Sequence, residues 1–530
     1  MPERALDADP ASNSSPSLSL TETTAGGIVI LVIAIASLLF FYSRGLINLY
    51  GDSMSHMEGA RRIFDSLTPG YQEIGTVWLP LTHLLVAPLA TNDFLWQTGL
   101  AGGIVSTAAF AISAWFLFVL AFQMNRSLAA AVVALTGFLV CPNMLYLAST
   151  PLTEPLAILW MVLTVYSLFR YRETGSLRTL VGAGVAAFCA TLTRYDGWAL
   201  LPFEALFVLL ARPQAWRGRI RHAVLFSFIA GAGPILWLLH NDYRFGNALE
   251  FYNGPGSTQD QYAHQLATTA FRYPTDGSVQ IAARYFLEDM KLVIGVWPLA
   301  LALLGLIVWA VQGRERSRRA AALLFLVPLA FNIQGIAHSA VPLYVPTLFP
   351  NTYYNLRLGM ELLPAAAILP SFLLPLKLPQ RLLWALMTIL MALIIGQAIQ
   401  TVWSGAAELV VAKEGVVNTP CHSQRQQAVI RALRETYDGR NILMTSGKWP
   451  CVMIEVGIAF RKTLSPRNWT YQNQLRSQPG RLVEWIVRGD GDDVDALMRA
   501  YPESFRDFAL ISAERIKGEG NMSVYRRRAP

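Results

Sequence analysis

The sequence predicts an α-helical polytopic membrane protein of about eleven transmembrane helices, followed by a small extracytoplasmic α/β domain. Three observations predict it. Of the 530 residues 53% are hydrophobic and only 15% charged, where a soluble chain carries about 25% charged residues. Apolar runs recur between residues 26 and 403, and a helix of about 20 apolar residues spans the hydrocarbon core of a bilayer. Basic residues fall on alternate connections between those runs, as orientation in a membrane requires.

The spans read as 26–42, 99–122, 127–147, 153–169, 179–193, 198–211, 222–240, 291–311, 320–336, 361–376 and 381–403. Residues 1–25 are polar and Ser-rich, with few basic residues, and read as a disordered cytoplasmic tail rather than a signal peptide. With that tail inside, the basic connections all share the inner side. They carry Arg126; Arg170, Arg172 and Arg178; Arg212, Arg217, Arg219 and Arg221; Arg314, Arg316, Arg318 and Arg319; and Lys377 and Arg381. The formal charge of +8 thus serves orientation, and nucleic acid is not an expected partner. The opposite, extracytoplasmic side receives residues 43–98, 241–290, 337–360 and everything after about 404.

Residues 26–404 form the membrane domain, and 405–530 a polar extracytoplasmic domain. In the latter, Asn441–Thr445 and Val452–Val456 read as strands, and 423–437 and 481–500 as helices. Cys421 and Cys451 both lie there, as a disulfide in an oxidising compartment or as two free buried thiols. Cys141 and Cys189 lie in apolar runs and read as core residues.

The polar residues at the outer span mouths are the candidates for chemistry. Asp52 follows the first span in Gly51-Asp52-Ser53, where it is either a helix cap or a catalytic carboxylate. Met57, Ala60, Phe64 and Leu67 recur at helical spacing, which suits a helix on the membrane surface with Asp52 and His56 one turn apart. Glu154 stands at the mouth of the fourth span, Arg194 and Asp196 precede the sixth, and Tyr354 and Arg357 precede the tenth. A charge at such a depth is costly unless paired or used, so four mouths on one face suggest a shared site. Trp78 and Tyr354 fit either an interfacial belt or a ligand contact. His56 and His83 are structural groups or metal ligands. A transporter or lipid flippase, the main alternative, would keep polar groups near the midplane and often show internal repeats. No repeat is found, and ionisable residues inside spans are few, Glu204 being an exception.

In order and topology, the region over about 1–405 resembles the GT-C superfamily of membrane glycosyltransferases, in the branch of the protein O-mannosyltransferases and lipid A aminoarabinose transferases. The resemblance is carried by Asp52 after the first span, the long first outer loop, and Thr153-Glu154-Pro155-Leu156. It is carried also by Leu192-Thr193-Arg194-Tyr195-Asp196-Gly197, and by Arg357 shortly before Glu361-Leu362-Leu363-Pro364. It implies a polyprenyl-phosphate sugar donor and an extracytoplasmic glycan, lipid or protein acceptor. Asp52 would be the base and Glu154 a second acidic site residue. Arg194 and Arg357 would bind phosphate, while Asp196, His56, Tyr354 and Trp78 would line the substrate. Such chemistry is consistent with these residue types. A phosphate leaving group needs cations rather than a strong acid, and the planar guanidinium fork supplies paired donors. The acceptor hydroxyl needs a base, and a single displacement inverts the sugar carbon. Many relatives carry a second acid beside the first, where Ser53 and Met54 stand here. A bound divalent metal is therefore not supported, and no cofactor is expected.

Overall fold

A computed structural model describes residues 18–212, 215–311, 313–374, 379–403, 409–466 and 471–528. Helix α1 (Leu20–Ser43) begins ahead of the expected residue 26, because Ser19 and Glu22 close a capping box over its first turn. Residues 1–17 of the expected tail, and Lys377, lie outside the described residues. The first long loop folds into α2 (Gly51–Arg62), α3 (Pro80–Ala90) and α4 (Asp93–Gln97). Met57 and Ala60 are buried as their spacing suggests, but α2 stops at Arg62 and leaves Phe64 exposed.

The bundle continues through α5 (Leu100–Asn125), α6 (Leu128–Leu139), α7 (Pro142–Leu147), α8 (Glu154–Thr174), α9 (Leu177–Thr191), α10 (Asp196–Leu210) and α11 (Trp216–Phe245). Two short helices, α12 (Glu250–Asn253) and α13 (Thr258–Thr269), occupy the second long loop. Helix α14 (Val279–Val293) then turns by 113° into α15 (Val296–Val311). The turn is made at Gly295, whose φ of +102° a side chain rarely allows, so this span starts later than the expected residue 291. After α16 (Gly313–Arg319) come α17 (Val327–Ala337), α18 (Leu363–Ile368) and α19 (Gln380–Trp403). The 3-10 segments Ala320–Leu326, Leu356–Leu362 and Leu369–Leu373 lengthen α17 and α18. Each expected span overlaps helix where its residues are described, residues 375–376 lying outside them. Among the described residues, six helices are long and apolar enough to cross a membrane, or seven with the bent pair.

Small residues bring the loop before Glu154 close to the bundle. A Cβ on Gly102 of α5 would lie 2.5 Å from the Pro151 side chain, and one on Gly103 would lie 2.7 Å from the Ser149 carbonyl oxygen. Only glycine lets the loop before Glu154 pack so tightly on α5, as small residues do at membrane helix contacts.

Beyond α19, α20 (Val410–Asn418) leads into a domain with α21 (Gln424–Arg434), α22 (Pro450–Val456), α23 (Gln472–Ser477) and α24 (Asp493–Ala500). These flank a five-stranded sheet of β1 (Ile442–Leu443), β2 (Thr463–Leu464), β3 (Trp485–Gly489), β4 (Phe508–Ile516) and β5 (Gly520–Arg527), in the order β2-β1-β3-β5-β4. β1 pairs in parallel with β2 and β3, while β5 runs antiparallel to β3 and β4. Two expectations are corrected. Val452–Val456 lies in α22, started by Pro450 in its first turn, and is not a strand. Residues 485–489 form a strand inside the stretch expected to be helical. Trp485, Ile486 and Val487 are all buried at the centre of the sheet, where a continuous apolar run replaces alternation.

This domain is not a free appendage. Met54, Met57 and Ala60 of α2, Val86 of α3 and Trp96 of α4 share one apolar core with Val429, Trp449, Val452 and Val524. The Ser446 hydroxyl donates to Glu58 at 2.6 Å, and Arg461 pairs with Asp65 at 2.8 Å. Cys421 and Cys451 are joined, with Cα atoms 5.4 Å apart, and the Cys451 sulfur lies 3.7 Å from that of Met54. Cys141 and Cys189 are free. The bridge closes a loop with a sequence separation of 30. Loop-closure entropy gives such a bridge about 3–4 kcal/mol of stability. Reduction, or Cys421→Ser, is accordingly expected to lower the thermal midpoint of the purified full chain; an unchanged midpoint would contradict this.

Candidate active site

The charged residues that the sequence scatters over four span mouths meet in one network. Asp52 lies in the first turn of α2, where the helix dipole favours a carboxylate. It is not the cap: Tyr50 holds that position, without a side-chain cap bond. The Asp52 carboxylate instead accepts from Nη2 of Arg357. Nε of Arg357 lies 3.1 Å from Oε1 of Glu154, and the guanidinium sits over the Tyr50 ring at 5.3 Å. The same Glu154 oxygen lies 2.9 Å from Nη1 of Arg194. Arg194 also reaches Asp196 at 2.6 Å and Glu361 at 2.8 Å. Glu361 in turn accepts from the Asn332 amide at 2.9 Å. Glu361, which begins the motif after Arg357, was legible in the sequence as a charge but not as a partner of Arg194.

Exposure separates the roles. Glu154 is 1% exposed and locked between two guanidiniums, whereas 41% of the Asp52 side chain remains accessible. Of the two candidate bases, Asp52 is the one a ligand can touch. Arg194, the fourth expected site residue, is enclosed by three carboxylates. Among the described residues two buried nitrogens of Arg357, Nε and Nη1, make no hydrogen bond, Nε standing only in ion-pair contact with Glu154. Two guanidiniums face four carboxylates here, so the site carries no surplus positive charge. Burial pushes the Asp52 carboxyl up, but the Arg357 guanidinium outweighs it and holds the group below its usual range.

One turn along α2, His56 shares a 3.0 Å hydrogen bond with His83 of α3, and its ring packs 4.7 Å from that of Trp78. Gly59 makes the room, since a Cβ there would lie 3.2 Å from the His83 ring. Burial pushes His56 down to about 4, against the pull of Asp52, and His83 to about 3. Both are therefore neutral near pH 7. Tyr354, 41% exposed, lies on the same loop as Arg357. Among the described residues no group of three or more His, Cys, Asp or Glu is placed to hold a metal ion.

No protein-family model matches the chain, and no curated protein matches it. In fold it is similar to ArnT from Cupriavidus metallidurans, seen in two crystal structures. The structure bound to undecaprenyl phosphate aligns over 96% of this chain and 98% of its own, with TM-score 0.57 and 13% identity. The apo structure aligns over 95% and 98%, with TM-score 0.54 and 15% identity. The likeness spans the sheet domain as well as the bundle, beyond the roughly 405 residues over which the sequence alone carries a resemblance to GT-C glycosyltransferases.

Two outcomes follow from this geometry. Glu154→Gln removes a buried charge from between two cations and is expected to cost about 3 kcal/mol or more of stability. Asp52→Asn, at an accessible pair, should cost about 1 kcal/mol or less. Thermal unfolding of both variants decides whether the network is ordered in this way. The histidines give a pH signature. Their folded pKa values, about 4 and about 3, lie below the ordinary value, so the unfolded chain takes up protons first. Their contribution to stability is complete above about pH 6.5 and falls as pH drops towards 4. Thermal midpoints measured across that window should fall in the wild type and fall less in a His56→Gln/His83→Gln variant.

Proposed function

We propose that the chain is a membrane glycosyltransferase that moves a sugar from a polyprenyl-phosphate donor to an extracytoplasmic acceptor, with Asp52 as base. The observation that carries this is the Asp52–Arg357 pair, an accessible carboxylate bonded to a guanidinium that has a spare donor. The fold it shares with a protein that binds undecaprenyl phosphate supports a lipid-linked donor. The alternation of basic connections supports an extracytoplasmic site.

The chemistry follows from the charge balance. A donor phosphate gains little by joining a network already rich in carboxylates, unless it displaces one. Asp52 is the accessible one, so the phosphate exchanges with it on Arg357. The bond from the sugar carbon to the phosphate oxygen breaks with its electron pair on the phosphate, whose charge Arg357 stabilises. Asp52, freed from the guanidinium, regains basicity and takes the proton of the attacking acceptor hydroxyl. One displacement inverts the sugar carbon. Glu154 stays buried and holds Arg194 and Arg357 in register. Trp78, His56 and Tyr354 supply the sugar's surroundings, and no metal is needed to bind a monophosphate.

The test uses purified full chain and a panel of polyprenyl-phosphate sugars, with sugar release or transfer as readout. Asp52→Asn should reduce kcat by about 10²–10⁴-fold, the usual worth of a general base, while donor binding persists. Full activity in that variant would remove Asp52 from the mechanism. Activity is expected to survive a chelator; loss that a divalent ion restores would overturn the metal-free route. The exchange also predicts two different acid limbs. The limb of kcat/KM reports the free enzyme, where Arg357 holds Asp52 low, so activity is lost only as pH falls below the ordinary carboxylate range. The limb of kcat, at saturating donor, should lie at higher pH because the phosphate now occupies Arg357. Coincident limbs would argue against the exchange.

A further inference from the structure

The structure assigns Glu414, in the helix that links the last membrane helix to the C-terminal domain, as a positioning residue for Arg357. The assignment rests on the reading of Arg357 as the phosphate-binding group. Glu414 is 3% exposed and accepts from two consecutive backbone amides, Asn355 N at 2.8 Å and Leu356 N at 2.9 Å. Those are amides at the opening of the 3-10 turn Leu356–Leu362, which no residue of that turn can satisfy. Arg357 is the next residue along. A third amide of the same turn, Gly359 N, donates to the buried Asp289 at 2.9 Å, and a Cβ on Gly359 would lie 2.9 Å from that carboxylate. Asn355 takes the left-handed conformation, φ +58°, that brings both amides round to Glu414.

The same helix grips the other half of the pair. The Tyr50 hydroxyl donates to the Val411 carbonyl at 2.5 Å, and Asn143 accepts from Val411 N at 3.2 Å. Tyr50 immediately precedes the α2 turn that carries Asp52, and its ring lies under Arg357. One turn of α20 thus fixes the backbone on both sides of the Asp52–Arg357 contact. Neither Glu414 nor Tyr50 bonds to Asp52, and neither offers an accessible group to substrate, so both act through the residues they hold.

Glu414→Gln, Glu414→Asp and Tyr50→Phe test this in the full chain, with the exposed Val417→Ala on the same helix as control. KM and kcat are measured separately for donor and acceptor, with thermal unfolding and binding of undecaprenyl phosphate alongside. Glu414→Gln is expected to lose about 10- to 100-fold in kcat/KM for the donor, the worth of one or two charge-assisted hydrogen bonds, with acceptor KM unchanged. Glu414→Asp should recover part of that loss, Tyr50→Phe should lose about 3- to 10-fold, and Val417→Ala should match the wild type. If Glu414→Gln fails to fold, Tyr50→Phe, which removes a single hydroxyl, decides the matter. Donor kinetics and lipid binding unchanged in Glu414→Gln, or only a lower thermal midpoint, would overturn the assignment while Asp52→Asn still tests the function. A wild type that neither turns over nor binds a polyprenyl phosphate would overturn the functional reading, and this inference with it.

Discussion

The Glu154 carboxylate, buried between Arg194 and Arg357, is the interaction on which the rest of this site depends. A charge at that depth is tolerated only when it is paired and hydrogen-bonded. Pairing it with two cations then creates a new demand, because each guanidinium must find further acceptors. Arg194 finds Asp196 and Glu361, and Arg357 finds Asp52. The chain of obligations draws α2, the opening turns of α8 and α10 and the segment before α18 to one point. Only its last member, Asp52, is open enough to exchange its partner for a ligand.

Holding that point rigid falls to elements that contribute no reacting group. The glycines of α5 let the Glu154 loop sit close, and α20 ties down the turns on either side of Asp52 and Arg357. The sheet domain shares an apolar core with α2, and its disulfide touches Met54, two residues from Asp52. The domain therefore braces the helix that carries Asp52. A loosened C-terminal domain would be felt at α2, and so at the base proposed there.

The membrane bundle was legible because lipid enforces long apolar runs and the basic connections mark every second gap. Asp52, Glu154, Arg194 and Arg357 stood out for the same reason, as charges placed where solvation is costly. Pairing was not legible, since it depends on which mouths the packing brings together. Arg194 reads as a free cation in sequence and is enclosed by three acids in the fold. Glu414 was hidden by its surroundings: it lies in a polar tail, where a glutamate is unremarkable, and its burial comes entirely from tertiary docking. The swap of α22 for a strand has a similar cause. Five apolar or amphipathic residues fit either element, and the helix-starting Pro450 just before them settled it.

The excess of carboxylates over guanidiniums bears on how such a site could be both stable and reactive. A pocket of unpaired cations would bind phosphate well but would be costly to keep empty inside a membrane protein. Here the empty state is neutralised internally, and Asp52 occupies the place on Arg357 that a phosphate would take. The attraction that stabilises the resting site also keeps its base weakly basic. In the proposed exchange, arrival of the donor reverses both conditions at once, because the phosphate that fills Arg357 releases the carboxylate needed for the acceptor. On this account the acid missing beside Asp52 is no defect. A second carboxylate at Ser53 or Met54 would compete for the same guanidinium and require a metal to balance it, whereas a single exchangeable acid leaves its place on Arg357 to a lipid monophosphate.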